Sequence, residues 1–166
     1  MFSDEEMFKK AFEYANENST CMKVSVGAAI LDNNENVILS CNRSEDFNCK
    51  EHNECYKAKV TGIYESCEET RKYCKAIHAE INMINKLNEI WNNSTMDKIP
   101  DLLKIYNNPL YVTRYPCENC CKKIIKNGFK YVKYCGKQEI SENVKRLFEK
   151  ANVKVEWFPE IDYEFK

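Results

Sequence analysis

Two short stretches of the sequence constrain the fold most strongly. The first, His78-Ala79-Glu80, begins a run of apolar residues at helical spacing, and the second is Pro116-Cys117-Glu118-Asn119-Cys120. One imidazole and two thiolates supply three ligands of a tetrahedral zinc ion and leave the fourth position open for water. The carboxylate of Glu80 is then free to transfer protons. A fold that forms such a site must bring the two stretches together.

Both stretches are predicted to begin helices, where free backbone N–H groups favour negative charge and stabilise thiolates. Cys117 and Cys120 are three residues apart and therefore share one helical face. The alternative is a closed structural zinc site with a fourth cysteine, for which Cys121 and Cys135 are the nearest candidates. On a helix Cys121 is rotated by about 100° from Cys120, which favours the open, catalytic site.

The composition predicts one domain over residues 1–166. With 43% hydrophobic and 31% charged residues, the chain can bury a core of its own. The formal net charge of −1 gives no basic footprint for a polynucleotide, so we expect a small-molecule substrate. We expect no membrane span and a cytoplasmic location, since no long apolar run and no signal-peptide pattern is present. The ten cysteines then indicate metal ligands or buried thiols rather than disulfides.

Apolar periodicity and turn residues predict alternating helices and strands. Ser3 and Glu6 form a capping-box pattern, Pro116 is expected in the first turn of a later helix, and Gly128 is expected to end that helix. The pattern lapses at residues 43–73, a cysteine-containing insertion with too few aliphatic residues to build its own core. The predicted helices cover about residues 4–17, 78–91, 116–128 and 141–151, with a possible short helix at 97–106, and the strands cover 24–31, 37–42, 110–114, 131–135 and 153–158.

Further matches extend the two motifs over most of the chain. They are Val26-Gly27-Ala28-Ala29-Ile30, Cys74 ahead of His78-Ala79-Glu80-Ile81-Asn82, and Tyr111-Val112-Thr113 ahead of Pro116-Cys117 and Cys120. On these residues, over about 4–158, the sequence resembles the deoxycytidylate (dCMP) deaminase family of the cytidine deaminase superfamily. The resemblance implies an α/β fold, a three-layer α/β/α sandwich with a central mixed five-stranded sheet. It also implies a catalytic zinc on His78, Cys117 and Cys120, Glu80 as proton shuttle, and hydrolytic deamination of a cytosine nucleotide, dCMP above others.

The resemblance also suggests which residues contact the substrate. The Gly-Tyr-Asn-Gly motif of the family falls on Ser40-Cys41-Asn42-Arg43, where only the asparagine is retained. Asn42 is therefore an expected nucleotide contact, its alternative role being that of a turn former. Gln138 stands near a position where relatives often carry a tyrosine. The other expected substrate residues are Ala79, Thr113 and Tyr115, together with Arg43 and Arg114, which suit a phosphate group or else lie on a solvated surface.

A second, structural zinc is implied by the same resemblance, because relatives carry cysteines at the positions of Cys21, Cys49, Cys55 and Cys74. His52 is an alternative ligand, buried free thiols are the alternative interpretation, and Cys67 has no assigned role. A four-thiolate site would tie the insertion to the rest of the chain. Relatives also lead us to expect a homo-oligomer, a hexamer or a dimer.

Two other functions remain open. A deaminase of dCTP, cytidine, guanine or an RNA base would share the zinc motif, although the lack of a basic stripe disfavours a polynucleotide. A zinc-stabilised interaction protein without catalysis would fit the altered motif around Asn42. Such a protein has no need of Glu80, since that carboxylate is not required to hold the metal.

Overall fold

A five-stranded mixed sheet organises the chain in the computed structural model, which describes residues 1–65 and 68–161. The strand order is β2-β1-β3-β4-β5. β1 runs antiparallel to both of its neighbours, whereas β3, β4 and β5 are parallel to one another. The sheet expected from the resemblance is confirmed. The strands are β1 (Gly27–Leu31), β2 (Val37–Cys41), β3 (Leu110–Val112), β4 (Tyr131–Cys135) and β5 (Lys154–Phe158).

The helices begin at capping residues that the sequence displays. Ser3 and Glu6 form the predicted capping box, and the Ser141 side chain accepts from the backbone N–H of Val144. Among the described residues no helix has the length and apolarity to cross a membrane. The helices are α1 (Asp4–Asn18), α2 (Cys49–His52), α3 (Tyr56–Thr61), α4 (Glu68–Arg71), α5 (Ala79–Asn92), α6 (Ile99–Ile105), α7 (Glu118–Lys126) and α8 (Glu142–Lys150), with a 3-10 helix at Met96–Lys98.

Both faces of the sheet are covered, because alternate residues of its strands point to opposite sides. On one face α1 packs Met7 and Phe8 against Ala29 and Tyr111. On the other face α5, α7 and α8 enclose a larger core with the remaining strand residues. That core includes Ala28, Ile30, Met83, Ile84, Val112, Ile124, Val132, Val144 and Phe148. These three layers confirm the expected α/β/α architecture.

Gly27 permits the close approach of α1 to the sheet. A Cβ atom at this position would lie 2.0 Å from the backbone oxygen of Ala11, well inside the contact distance of two atoms. The backbone N–H of Gly27 is held by the Thr113 hydroxyl at 2.8 Å. A side chain here would therefore separate α1 from β1 and disturb the end of β3.

Two differences from the predicted boundaries have a clear physical cause. β1 begins at Gly27 instead of Val24, because the Asn42 side chain replaces strand pairing there: its Nδ2 donates to Val24 O and its Oδ1 accepts from Val26 N. Pro116 precedes the N-cap of α7 and is not in the first turn, since the cap is Cys117. Gly128 does adopt the left-handed conformation expected after a helix, with φ of +89°.

The insertion at residues 43–73 is less irregular than its sequence indicates. Its described parts form three short helices, α2, α3 and α4, of which α2 and α3 end in left-handed residues, Asn53 and Gly62. Cys67 lies outside the described residues. The division of the chain into one domain with an insertion stays a prediction.

Candidate metal centre and active site

The start of α5 and the start of α7 bring the two motifs together. His78 is the N-cap of α5, Cys117 is the N-cap of α7, and Cys120 lies in the first turn of α7. Both helices pack on the same face of the sheet. The packed helices fix the backbone at both N-caps, so the side chains of His78 and Cys117 extend from well-defined positions.

The three side chains have the geometry of a zinc site. His78 Nδ1 lies 3.3 Å from Cys120 Sγ and 3.7 Å from Cys117 Sγ. Tetrahedral zinc with ordinary Zn–N and Zn–S bonds requires N–S separations of about 3.6 Å. All three potential ligand atoms lie within 4.8 Å of one another. The residues present therefore fit a zinc ion, with Nδ1 as the ligating atom of His78.

Hydrogen bonding within the group makes the two cysteines unequal. A hydrogen bond from the Cys120 side chain lowers the pKa of Cys117 to about 3, and bonds with His78 and the Cys120 backbone act in the same direction. The same pairing with Cys117, together with burial, raises the pKa of Cys120. Pairing with Cys117 also raises the pKa of His78, an effect that burial and the charge of Arg71 oppose. These shifts favour the thiolate at Cys117, and a bound cation would favour loss of the proton from Cys120 as well.

Glu80 is a buried carboxyl group beside these ligands. Only 3% of its surface is exposed, and burial is the main reason why its pKa is raised. Its own backbone N–H and the His78 charge oppose the shift. A raised pKa brings a carboxyl group closer to the range in which it can both accept and donate a proton, as general acid–base catalysis requires.

A cavity of about 350 Å³ opens in front of this group. His78, Glu80 and Cys117 lie in its wall, and so do four of the predicted substrate residues, Asn42, Ala79, Arg114 and Tyr115. The volume lies at the lower end of the range for small-molecule sites. The Arg114 guanidinium lies over the Tyr115 ring, 5.2 Å from its centre.

Asn42 is largely engaged by the protein itself. Its Oδ1 accepts hydrogen bonds from the Ser19 hydroxyl at 2.7 Å and from Val26 N at 2.8 Å, and its Nδ2 donates to Val24 O at 2.9 Å. These bonds join the end of β2 to the residues after α1. Only the second amide hydrogen of Asn42 has no described partner and is available to a ligand.

Arg43 and Thr113 do not line this cavity. Arg43 makes an isolated bridge with Ile77, and its guanidinium binds Glu45 at 3.0 Å and Asn18 O at 3.3 Å. That side chain faces a separate cavity beside β2 and α5. Thr113 is buried and uses its hydroxyl to hold Gly27. Both residues therefore contact backbone segments next to the site and not the cavity itself.

The four cysteines of the predicted second zinc, Cys21, Cys49, Cys55 and Cys74, line the same cavity. Burial raises the pKa of Cys49, and the nearby charges of the other three cysteines add to the increase. Within residues 1–65 and 68–161, however, they do not form a second group of ligand atoms all within 4.8 Å of one another. His52 stacks on Phe47 at 4.6 Å between ring centres and is not in the cavity wall.

Four cationic residues of the cavity wall were missed by sequence reasoning: Lys23, Lys57, Arg71 and Lys75. Each belongs to a segment without periodicity, or flanks one, and basic residues in such segments are usually solvated. No local pattern distinguishes a lysine that faces a cavity from one that faces water.

A family model describes the same motifs. The model of the cytidine and deoxycytidylate deaminase zinc-binding region matches residues 1–136. The chain belongs to this family. A curated relative, ComE operon protein 2 of Bacillus subtilis (strain 168), is 31% identical over 139 residues, which are 83% of this chain and 62% of that protein. This chain thus spans less than two thirds of the length of that relative.

Solved structures share the fold. The dCMP deaminase from the cyanophage S-TIM5, in complex with dCMP and dUMP, aligns with 91% of this chain and 93% of that chain at 21% identity and a TM-score of 0.58. A diaminohydroxyphosphoribosylaminopyrimidine deaminase/5-amino-6-(5-phosphoribosylamino)uracil reductase from Thermotoga maritima covers 93% of this chain and 36% of that chain, at 16% identity and a TM-score of 0.56.

Proposed function

We propose that the protein catalyses the zinc-dependent hydrolytic deamination of a cytosine nucleotide, dCMP to dUMP plus ammonia. The observation that carries this proposal is the buried Glu80 beside the His78, Cys117 and Cys120 group, at the wall of a cavity of small-molecule size. Family membership supports the reaction type. The S-TIM5 enzyme, which shares the fold and binds dCMP and dUMP, supports the choice of nucleotide.

Glu80 performs the proton transfers in this proposal. Zinc held by His78, Cys117 and Cys120 would supply activation of water at neutral pH. Glu80 accepts a proton from the water that attacks C4 of cytosine, delivers it to the ring nitrogen N3, and transfers the second proton to the amino group that leaves as ammonia. Burial raises the pKa of this carboxyl group, which makes it a better proton acceptor than an exposed glutamate.

The substrate contacts are proposed at two levels. Asn42, Ala79, Arg114 and Tyr115 are proposed to contact the ligand directly, which their position in the cavity wall supports, and the Tyr115 ring would stack on the base. Arg43 and Thr113 act indirectly. The backbone of Arg43 holds Ile77 ahead of the zinc ligand, and the hydroxyl of Thr113 accepts a hydrogen bond from Gly27 N. Deamination of dCTP, cytidine, guanine or an RNA base is the competing proposal.

A substrate panel tests the function. Zinc-loaded protein is given dCMP, dCTP, cytidine, cytosine and guanine, and released ammonia is measured. We expect activity with dCMP, and a loss of about 10²- to 10⁴-fold in Glu80→Gln because proton transfer is removed. Glu89→Gln, an exposed carboxylate on the same helix, is the matched control and should keep full activity. Zinc-loaded protein that deaminates none of these compounds would contradict the proposal and leave an RNA-base deaminase or an interaction protein as the alternatives.

We also propose a second zinc held by Cys21, Cys49, Cys55 and Cys74. Support comes from their shared position in one cavity wall and from the charge coupling of the other three to Cys49. Metal analysis of purified protein should give about two zinc ions per chain, and one per chain rejects this site. We further propose that the protein forms a homo-oligomer, either a hexamer or a dimer, which light scattering can test. A cytoplasmic location also remains a proposal.

A further inference from the structure

The cavity wall is strongly cationic although the chain is not. It contains five lysine and arginine residues, Lys23, Lys57, Arg71, Lys75 and Arg114, and one carboxylate, that of Glu80. The whole chain has a formal net charge of −1. Composition therefore does not account for this excess, and a cavity lined by one sign of charge attracts ligands of the other.

Lys57 is the most constrained of these cations. It lies in α3 within the insertion and is only 5% exposed. Its Nζ donates one hydrogen bond, to the backbone oxygen of Glu65 at 2.8 Å. An ammonium group has three donors, so two of them have no partner in the part of the chain that the structure describes. That part also contains no ion pair to Lys57.

A buried cation without a counter-charge is unfavourable unless a partner arrives. The neighbouring cations are better satisfied or more exposed. Lys23 lies over the Tyr64 ring at 4.1 Å, Lys75 lies over the Tyr56 ring at 5.0 Å, and Arg114 is exposed to solvent. The cytosine ring is uncharged, so the part of a nucleotide that can supply the missing charge is its phosphate.

We propose that Lys57 binds the phosphate of the substrate and thereby sets the preference for a nucleotide over a nucleoside. This inference rests on the proposed function and identifies the residue that selects its substrate class. Arg71, another cation of the insertion, adds charge at the same wall. The insertion thus supplies the phosphate recognition, a role for which the sequence offered Arg43 and Arg114 with a solvated surface as the alternative.

Binding of the product tests the inference without turnover. Calorimetry on zinc-loaded protein compares dUMP with deoxyuridine, which differ only in the phosphate. We expect the wild type to prefer dUMP, and Lys57→Gln to reduce the dUMP/deoxyuridine affinity ratio by about 10- to 100-fold, as for a lost charged hydrogen bond. Lys57→Arg should restore most of the ratio. Lys59→Gln is the matched control, because Lys59 lies on the same helix but is exposed and paired with Glu54.

The outcomes separate this inference from the proposed function. Wild type that binds neither compound contradicts the proposed function. Wild type that prefers dUMP, with the ratio unchanged in Lys57→Gln, overturns only the role of Lys57. A variant that loses zinc while keeping the ratio overturns it as well, because Lys57 would then neutralise the cysteine thiolates.

A second measurement needs no variant and covers the case in which Lys57→Gln does not fold. Inorganic phosphate is added to wild-type protein, where it should weaken the binding of dUMP and leave the binding of deoxyuridine unchanged. Equal effects on both compounds, or none, would show that the cavity has no separate phosphate subsite and would overturn the inference.

Discussion

The two cysteine-containing regions of this chain differ in what holds them in place. Cys117 and Cys120, with His78, sit at the starts of α5 and α7, helices of 14 and 9 residues that pack on the sheet. The other region, Cys21, Cys49, Cys55 and Cys74, uses α2 and α3, of four and six residues, and the loops beside them. In the first region the ligand atoms are already within 4.8 Å, and in the second they are not.

The difference shows that the geometry of a group of cysteines depends on how firmly the helices that carry them are packed. Helices that short have little stability of their own, and α2 buries no residue. A metal bound by the second region would contribute directly to the folding of the insertion. In the first region the hydrophobic core fixes the backbone, so a bound metal would have to order only the ligand side chains. The two sites should therefore respond differently to the loss of a ligand.

The largest effect is expected from Cys120→Ser. Removal of one ligand from a three-residue set should eliminate one zinc per chain and reduce deamination to background, with little change in secondary structure because α7 is packed independently. Zinc analysis, activity and circular dichroism check these outcomes. Cys121→Ala is the control, since Cys121 Sγ points toward Val144 O at 3.9 Å, away from the ligand group. Equal zinc loss in both variants would mean that Cys121 is also a ligand.

A smaller and more local effect is expected from Cys49→Ser. The variant should lose one zinc, keep the zinc on His78, and increase hydrogen exchange at residues 44–65 by about tenfold or more, because the proposed second zinc would hold the insertion in order. Exchange in α5 and α7 should not change. Cys135→Ala, a buried cysteine far from the insertion in sequence, is the control. If the zinc content of Cys49→Ser is unchanged, Cys49 is not a zinc ligand and the proposed second site is wrong.

The smallest effect concerns cysteines that belong to neither region. Burial raises the pKa of Cys135 to about 12 and that of Cys121 to about 11. The thiolate fraction falls tenfold for each pH unit below the pKa. At pH 8 it is therefore about 10⁻⁴ for Cys135 and about 10⁻³ for Cys121. After chelation, iodoacetamide should alkylate exposed Cys74 well before either, as peptide mass spectrometry can follow. Labelling of Cys135 as fast as Cys74 would show that the sheet core opens.

Local patterns in the sequence were sufficient for much of the fold. The apolar runs that form β1 and β3, the caps at Ser3 and Ser141, and the left-handed Gly128 are properties of a few neighbouring residues, and the structure confirms them. Boundaries failed where a side chain replaced backbone pairing, as Asn42 does next to β1. The three short helices of the insertion were missed, because so few turns carry no periodicity to detect.

For the site, the sequence by itself determined the ligand chemistry. The paired motifs name an imidazole, two thiols and a carboxyl group, and their positions at helix starts follow from local rules. Only the tertiary structure decided what surrounds them. In the folded chain, Arg43 forms an ion pair with Glu45, and the side chain of Asn42 forms a hydrogen bond with Ser19. Lys57 lies in the cavity wall. These outcomes depend on contacts between residues distant in sequence, which packing of the whole chain fixes and no short pattern encodes.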